Sequence, residues 1–271
     1  YENYGPDTLL AGGRPVYVSL QRVGDSFQFD PAELRQAFSS KTKAIVVNTP
    51  HNPTGTVYSR EELQLIADLC TEHNALALAD EPYEHILFDG ATHLSIAAMP
   101  GMERRTVTLN SVSKTYSVTG WRIGWAIALD EAISDSIRRA HDFLTVGAAA
   151  PLQEAVVEGL KFPRSYYDEL ARDYQARRDL TLAILREAGF DYVPPQGAYY
   201  VMTGYPDCGY DDDMSFSYFM AESIGVTTVP GRAFCHGPEL GKGFIRFSFP
   251  KKLETLQKVR ERLSRLGEFV R

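Results

Sequence analysis

Short runs rich in β-branched residues and alanine alternate with helical patterns through about the first 130 residues, and this alternation constrains the fold more than any other feature. Consecutive strands separated by helices need crossover connections, which pair the strands in parallel. The sequence therefore predicts an α/β fold with a mostly parallel sheet flanked by helices. The candidate strands are Pro15–Leu20, Ala44–Asn48, Ala75–Asp80, Arg105–Asn110 and Ile123–Leu129.

Two helix starts support this reading. Asp30 precedes Pro31, which places a capping side chain before a proline at the first helical position. Ser59 stands three residues before Glu62, which is the spacing of a capping box. We therefore expect crossover helices to begin after Asp30 and after Ser59.

Beyond about Asp130 the pattern becomes mostly helical and then mixed. The expected helices are Glu131–Phe143, Leu152–Leu160, Arg164–Ala188, Met214–Ile224 and Leu253–Leu266, and the expected strands are Ala198–Met202, Val226–Val229 and Phe244–Phe249. The prediction is a partial large domain over residues 1–165. A long linking helix and a smaller C-terminal α+β domain follow over residues 166–271.

Composition excludes several functional classes. A formal net charge of -7 gives no basic field for a polyanion, so we expect no nucleic-acid partner. A membrane-spanning helix needs about 18 consecutive apolar residues, and the sequence contains no such run, so we expect no membrane partner. The three cysteines and six histidines show neither a disulfide framework nor metal-ligand spacing, which predicts a cytoplasmic protein without a metal site.

Three polar clusters follow predicted strands, over residues 48–55, 80–83 and 111–124. Turn chemistry and capping explain each cluster when it is taken singly. Together they bring a carboxylate, an amine and a guanidinium to neighbouring strand ends, where ligands of open α/β sheets bind. The combination favours a site for an anionic ligand.

The amino-acid sequence of these clusters resembles that of the class I/II pyridoxal-phosphate-dependent aminotransferases of fold type I. The matching motifs are Asn52-Pro53-Thr54-Gly55, Asp80-Glu81-Pro82-Tyr83, Ser111-x-Ser113-Lys114, Gly120-x-Arg122-x-Gly124 and, near the C-terminus, the segment around Arg246. The sequence on either side of these motifs is most similar to the kynurenine, methionine and aromatic aminotransferase branch. The matches cover essentially the whole chain.

The resemblance implies a catalytic role for three residues. Lys114 would hold pyridoxal 5'-phosphate covalently and move a proton at the substrate α-carbon. Asp80 would keep the pyridine nitrogen protonated, and Tyr83, together with Asn52, would hydrogen-bond the phenolate oxygen of the cofactor. Simpler roles, such as a turn cap for Asp80 or a solvated amine for Lys114, are the structural alternatives.

The remaining implied roles concern binding. Ser111, Ser113 and Arg122 would bind the cofactor phosphate, and Tyr1 would stack on the pyridine ring. The substrate would contact Arg246, which would pair with its carboxylate, as well as Asn52 and Tyr199. The alternatives are a surface ion pair for Arg122, a strand-edge position for Arg246 and packing for Tyr199. His51 is interpreted as a neighbour of the Asn52 turn rather than a catalyst.

The implied reaction is transamination between an amino acid and a 2-oxo acid. No arginine stands at residues 145–150, where the dicarboxylate-specific branch of the family carries one, so a neutral, aromatic or sulfur-containing donor is expected. Two alternatives stay open: a carbon–sulfur lyase that uses the same cofactor, and an aminotransferase-like sensor domain of a transcription regulator.

The resemblance also concerns what precedes Tyr1. Members of the family carry a further N-terminal stretch with part of the phosphate site and with residues that reach into a partner subunit. We therefore expect a longer natural protein that forms a homodimer.

Overall fold

The computed structural model describes residues 1–270, and their contacts form two compact units. The sheet unit comprises Asp30–Pro50 and Val57–Ala171. The C-terminal unit comprises Tyr1–Phe29, His51–Thr56 and the chain from Arg172 onwards. No helix in this described part of the chain has the length and apolar character that crossing a bilayer requires.

Ten α-helices and nine strands are numbered in chain order within residues 1–270. The helices are α1 Tyr4–Leu10, α2 Pro31–Ala37, α3 Arg60–Glu72, α4 Val112–Thr115, α5 Glu131–Thr145, α6 Ala150–Leu160, α7 Arg164–Glu187, α8 Asp213–Phe219, α9 Pro238–Gly241 and α10 Leu253–Leu263. The strands are β1 Leu20–Val23, β2 Ser26–Phe29, β3 Ala44–Asn48, β4 Leu76–Asp80, β5 Thr106–Ser111, β6 Gly124–Ala128, β7 Tyr200–Thr203, β8 Val229–Pro230 and β9 Ile245–Ser248.

The sheet unit is built on four strands in the order β3-β4-β5-β6. Strands β3, β4 and β5 are parallel, whereas β6 runs antiparallel to β5. This confirms the predicted α/β fold with a mostly parallel sheet. Four of the five strands expected in the first 130 residues are present as β3 to β6, with ends displaced by one residue at most.

Both predicted helix starts are confirmed. The Asp30 side chain accepts a hydrogen bond from the Ala32 backbone and begins α2. At Ser59 both hydrogen bonds of the capping box with Glu62 are present, and they begin α3. The buried face of α3 carries the apolar residues that the helical period predicts, which are Leu63, Ile66, Ala67 and Cys70.

The expected strand Pro15–Leu20 is wrong, because strand geometry begins only at Leu20. Instead β1 and β2 form a two-stranded antiparallel hairpin. The turn at Gly24 has φ +58, a left-handed conformation that glycine adopts without strain. The pattern of apolar residues did not predict this hairpin, because its two strands are only four residues long and its turn is charged.

The C-terminal unit contains a three-stranded antiparallel sheet in the order β7-β9-β8. The expected strand Val226–Val229 is largely absent, because the Val226 amide donates to the Met220 carbonyl at 2.9 Å and closes the preceding helical turn. That amide is therefore not available to a strand ladder.

The contacts divide the chain differently from the expected 1–165 and 166–271. Phe27 of the N-terminal hairpin packs with Val193 and Met202 in one hydrophobic cluster, so Tyr1–Phe29 belongs with the C-terminal unit. The segment His51–Thr56 also belongs with the C-terminal unit, and the later division falls between Ala171 and Arg172, inside α7, instead of at residue 165.

Gly124 explains how β6 approaches β5 so closely. It pairs with Ser111, and a Cβ atom at this position would lie 2.7 Å from the Asn110 carbonyl oxygen. Gly120, four residues earlier in the same predicted motif, faces open space.

Replacing Gly124 with alanine should therefore force backbone atoms apart and lower the free energy of unfolding by about 1–3 kcal/mol. The matched control, Gly120→Ala, should change it by no more than about 0.5 kcal/mol. Urea denaturation of the two variants measures the difference. Equal stability of both variants would contradict the close approach of β6 to β5.

Candidate functional site

The carboxyl ends of the parallel strands bring polar side chains to one edge of the sheet unit. Asp80 is the last residue of β4 and is paired in register with Asn48, the last residue of β3. Ser111 ends the neighbouring strand β5 and begins α4, which carries Lys114. Because parallel strands end at a common edge, the residues that carry the predicted carboxylate and amine lie at the same edge of this unit.

Asp80 is held by a residue that the sequence analysis did not single out. The Asn48 side-chain amide donates to the Asp80 carbonyl oxygen at 2.9 Å and to its carboxylate Oδ2 at 3.0 Å. Asn48 is only 6% exposed, so both bonds lie in a partly dry environment. Its position at the end of the strand next to Asp80 is the signal that could have identified it.

Lys114 lies beside the buried ring of Tyr83. The Lys114 Nζ atom is 5.9 Å from the centroid of that ring, which is 3% exposed. The short helix α4 is fixed on both sides of Lys114: the Thr119 hydroxyl donates to the Ser113 carbonyl at 3.0 Å, and the Tyr166 hydroxyl donates to the Thr115 carbonyl at 2.8 Å. The amine therefore stands on a well-supported turn of helix.

Ser111, Ser113 and Arg122 are the predicted phosphate ligands. The Ser111 hydroxyl accepts from the Ser113 backbone amide at 3.4 Å at the start of α4, and Ser113 itself is buried. Arg122 is exposed, has the left-handed φ of +56, and donates to the Thr119 carbonyl at 2.9 Å. A left-handed arginine is uncommon and often marks a functional position.

The predicted turn around Asn52 lies in the C-terminal unit. The Gly55 carbonyl accepts from the backbone amides of Gln196 and Gly197 at 3.0 and 2.9 Å. Gly55 has φ +73, and a Cβ atom there would lie 2.2 Å from the Pro195 Cβ, so only glycine fits. The turn is thereby tied to the segment that precedes Tyr199.

His51 has a structural role in this turn. Its Nδ1 atom is 2.8 Å from the Thr54 hydroxyl oxygen. Burial lowers the pKa of His51 to about 3, so the imidazole is neutral at physiological pH. The arrangement fits the interpretation of His51 as a neighbour of Asn52 rather than a catalyst.

Arg246 is constrained by a hydrogen bond and by two aromatic rings. Its Nη1 atom donates to the Asn52 side-chain oxygen at 2.7 Å. The guanidinium carbon lies 4.2 Å from the centroid of the Tyr200 ring and 4.5 Å from that of Phe234. The buried Nε atom has no hydrogen-bond partner among the described residues, which leaves a donor of the guanidinium fork for an anion.

The short helix that carries Phe234 is held by a buried carboxylate. Asp213 is fully buried at the start of α8 and accepts from the Arg232 backbone amide and from Arg232 Nε, both at 2.7 Å. These bonds fix the short 3₁₀ helix Gly231–Phe234. Neither Phe234 nor Tyr200 was predicted as a site residue, although Tyr200 directly follows the predicted Tyr199, because an aromatic side chain near a strand is more often a packing residue.

Two of the predicted residues have a weaker structural basis. Tyr199 is 9% exposed and stacks on Tyr174 with a centroid distance of 5.8 Å, which is typical of a packing residue. Tyr1 is 46% exposed and contacts the edge of the Tyr4 ring at 6.1 Å. Their assigned roles stay predictions.

Comparison with known proteins places this arrangement in a family. The family model for aminotransferase class I and II matches residues 1–263. Kynurenine–oxoglutarate transaminase 3 of Mus musculus is 37% identical to the chain over 289 residues, which cover 96% of the chain and 63% of that protein. A probable N-succinyldiaminopimelate aminotransferase of Mycobacterium tuberculosis H37Rv is 37% identical over 277 residues, or 99% of the chain and 69% of that protein.

Solved structures similar to this chain are also those of aminotransferases. The structure of N-succinyldiaminopimelate aminotransferase from Mycobacterium tuberculosis matches 98% of the chain with a TM-score of 0.94 and 38% identity, over 69% of its own length. That of an aromatic aminotransferase from Pyrococcus horikoshii OT3 matches 99% of the chain with a TM-score of 0.90 and 35% identity, over 70% of its length.

The likeness confirms the predicted fold type I. The chain spans 63% to 69% of the length of the two curated relatives described above. The family match extends over nearly all of the chain. The chain therefore belongs to the family of class I and II aminotransferases.

Proposed function

We propose that the protein transfers an amino group between an amino acid and a 2-oxo acid with pyridoxal 5'-phosphate as cofactor. The observation that carries the proposal is the common edge of the sheet unit, where Lys114 follows β5 and Asp80 ends the adjacent β4. Members of this family use that cofactor.

The side chains proposed for the site fit the chemical groups of the cofactor. Lys114 offers an amine for its aldehyde, and Asp80 offers a carboxylate for its pyridine nitrogen. Ser111, Ser113 and Arg122 offer hydroxyls and a guanidinium for its phosphate. When bound, pyridoxal phosphate supplies an electron sink for the charge that develops at the substrate α-carbon.

Lys114 is proposed to have two tasks: covalent attachment of the cofactor and proton transfer at the substrate α-carbon. Tyr83 has its buried ring next to the amine and is proposed to donate to the phenolate oxygen of the cofactor. Asn52 is proposed to share that oxygen, and Tyr1 to stack on the ring.

Asp80 is proposed to hold a proton on the pyridine nitrogen. A carboxylate does this best when it stays ionised and fixed in direction. The amide of Asn48 donates to the carboxylate at 3.0 Å and stabilises that charged form. Asn48 thus acts through Asp80 as a positioning residue.

Arg246 is proposed to bind the α-carboxylate of the substrate. Its guanidinium carbon lies close to the centroids of two aromatic rings, and its buried Nε lacks a partner among the described residues, so a carboxylate would complete its hydrogen bonds. Bidentate pairing would fix which bond of the α-carbon is broken. Tyr199 is proposed to contribute to the substrate pocket.

The amino donor is proposed to be neutral, and aromatic or sulfur-containing. Residues 145–150 contain no arginine for a second carboxylate, and relatives include proteins named kynurenine, aromatic and methionine aminotransferases. The relatives described above are all named aminotransferases, so we do not propose the lyase or the sensor. A cytoplasmic homodimer is proposed as the working form, as is typical of the family.

The reaction is tested by following the near-visible absorbance of the purified holoprotein while neutral, aromatic, sulfur-containing and dicarboxylic amino acids are added singly. We expect neutral donors to convert the cofactor to its amine form and a 2-oxo acid to restore the original band. Faster conversion by aspartate or glutamate than by every neutral donor would contradict the proposed specificity. A bound cofactor that never exchanges its amino group would contradict transamination itself.

Arg246→Gln should lower kcat/KM for the amino donor about a hundredfold, because two charge-assisted hydrogen bonds, each of about 1.5–3 kcal/mol, become weaker or are lost. The cofactor absorbance without substrate should stay unchanged. Arg177→Gln is the matched control, since Arg177 also stacks on a tyrosine ring, at 5.3 Å, but donates to the Lys251 carbonyl. Equal loss in both variants would contradict a direct role for Arg246.

A further inference from the structure

Three potential metal ligands lie together in the sheet unit just beyond β4. One ligand atom from each of Glu81, Glu84 and His93 lies within 4.8 Å of the other two. A turn in which the Glu84 amide donates to the Glu81 carbonyl at 3.2 Å brings the two carboxylates side by side. His93 follows twelve residues after Glu81, a spacing that no simple ligand motif contains.

Two of these side chains are buried with unsatisfied polar atoms. The Glu81 side chain is 3% exposed and that of His93 is 9% exposed. Glu81 Oε1 and His93 Nδ1 have no hydrogen-bond partner in the described part of the chain, and His93 Nε2 lies 3.2 Å from Glu81 Oε2 without the geometry of a hydrogen bond. A polar atom left unpaired in a protein interior costs about 1–3 kcal/mol, so the burial of Glu81 Oε1 and His93 Nδ1 favours a bound partner at this position.

The charges in this cluster also call for a cation. Neither Glu81 nor Glu84 forms an ion pair with a lysine or arginine of residues 1–270; the basic groups near them are two imidazoles. His93 Nε2 is 3.2 Å from Glu81 Oε2, and His85 Nε2 is 3.6 Å from Glu84 Oε1. A dication would balance the two carboxylates.

The distances suit a small tetrahedral ion. Metal–ligand bonds of about 2.0–2.1 Å set neighbouring ligand atoms about 3.3 Å apart in a tetrahedron, and the Glu81–His93 separation is 3.2 Å. Asn110 donates to Glu84 Oε1 at 2.6 Å and orients that carboxylate. Glu84 is 31% exposed, so a small shift of its side chain completes the set and gives the ion a path from solvent.

We propose that Glu81, Glu84 and His93 form a binding site for one divalent transition-metal ion, with Zn²⁺ as the best fit. One imidazole and two carboxylates match zinc, whereas Ca²⁺ and Mg²⁺ require more oxygen ligands and larger coordination numbers. The site revises the expectation of no metal and does not rest on the proposed function, because none of its three ligands has a role there.

The site is tested by titrating metal-free holoprotein with Zn²⁺ in a calorimeter and with Co²⁺ in a spectrophotometer. We expect one Zn²⁺ per chain at this site, and for Co²⁺ the visible bands of a tetrahedral complex with nitrogen and oxygen ligands. Glu84→Gln, a change at a half-buried position, should weaken Zn²⁺ binding by at least about tenfold. His93→Gln should remove the Co²⁺ bands.

Glu72→Gln provides the matched control, because Glu72 and His73 form a more exposed carboxylate–imidazole pair at 3.9 Å. This variant should bind Zn²⁺ as the unaltered protein does. Equal affinity in all variants would assign the ion to other ligands and overturn the site. Absence of Zn²⁺ binding would leave Glu81 and His93 as a buried ion pair only.

Discussion

The parallel register of β3, β4 and β5 is the constraint on which the account of the sheet unit depends. Because Asn48 pairs with Asp80 and Asp80 pairs with Leu109, the three strands end within a residue or two of one another. The chain then reaches Lys114 within three residues of the end of β5. A shift of one residue would turn Asp80 to the other face of the sheet and separate it from its amide partner.

Local chemistry accounts for the part of the structure that the sequence predicts well. Asp30 and Ser59 each satisfy backbone donors at a helix start, and that capping depends only on the few residues that follow. Strands β3 and β4 each consist of four apolar residues followed by a polar one, as expected for strands of a parallel sheet, whereas β5 alternates threonine with apolar residues. Asp80 ends β4, and Lys114 lies on α4 directly after β5. These positions follow from the local sequence, because each motif consists of consecutive residues that begin where a strand ends.

Contacts distant in sequence account for what could not be predicted. Tyr200 and Phe234 come together at Arg246 only in the folded chain, and the sequence around either aromatic residue does not predict this contact. The same holds for Glu81 and His93, whose side chains meet across an irregular segment. The hairpin of β1 and β2 joins the C-terminal unit through Phe27, which packs against residues more than 160 positions away.

The central claim is that Lys114 carries the cofactor, and reduction of the holoprotein with borohydride followed by peptide mass mapping tests it most directly. Reduction makes the covalent link permanent, so the account predicts a pyridoxyl-phosphate adduct on the peptide that contains Lys114 and an unmodified Lys161, an exposed lysine that pairs with Glu158. An adduct on another lysine, or none on a holoprotein that retains its cofactor band, would contradict the claim.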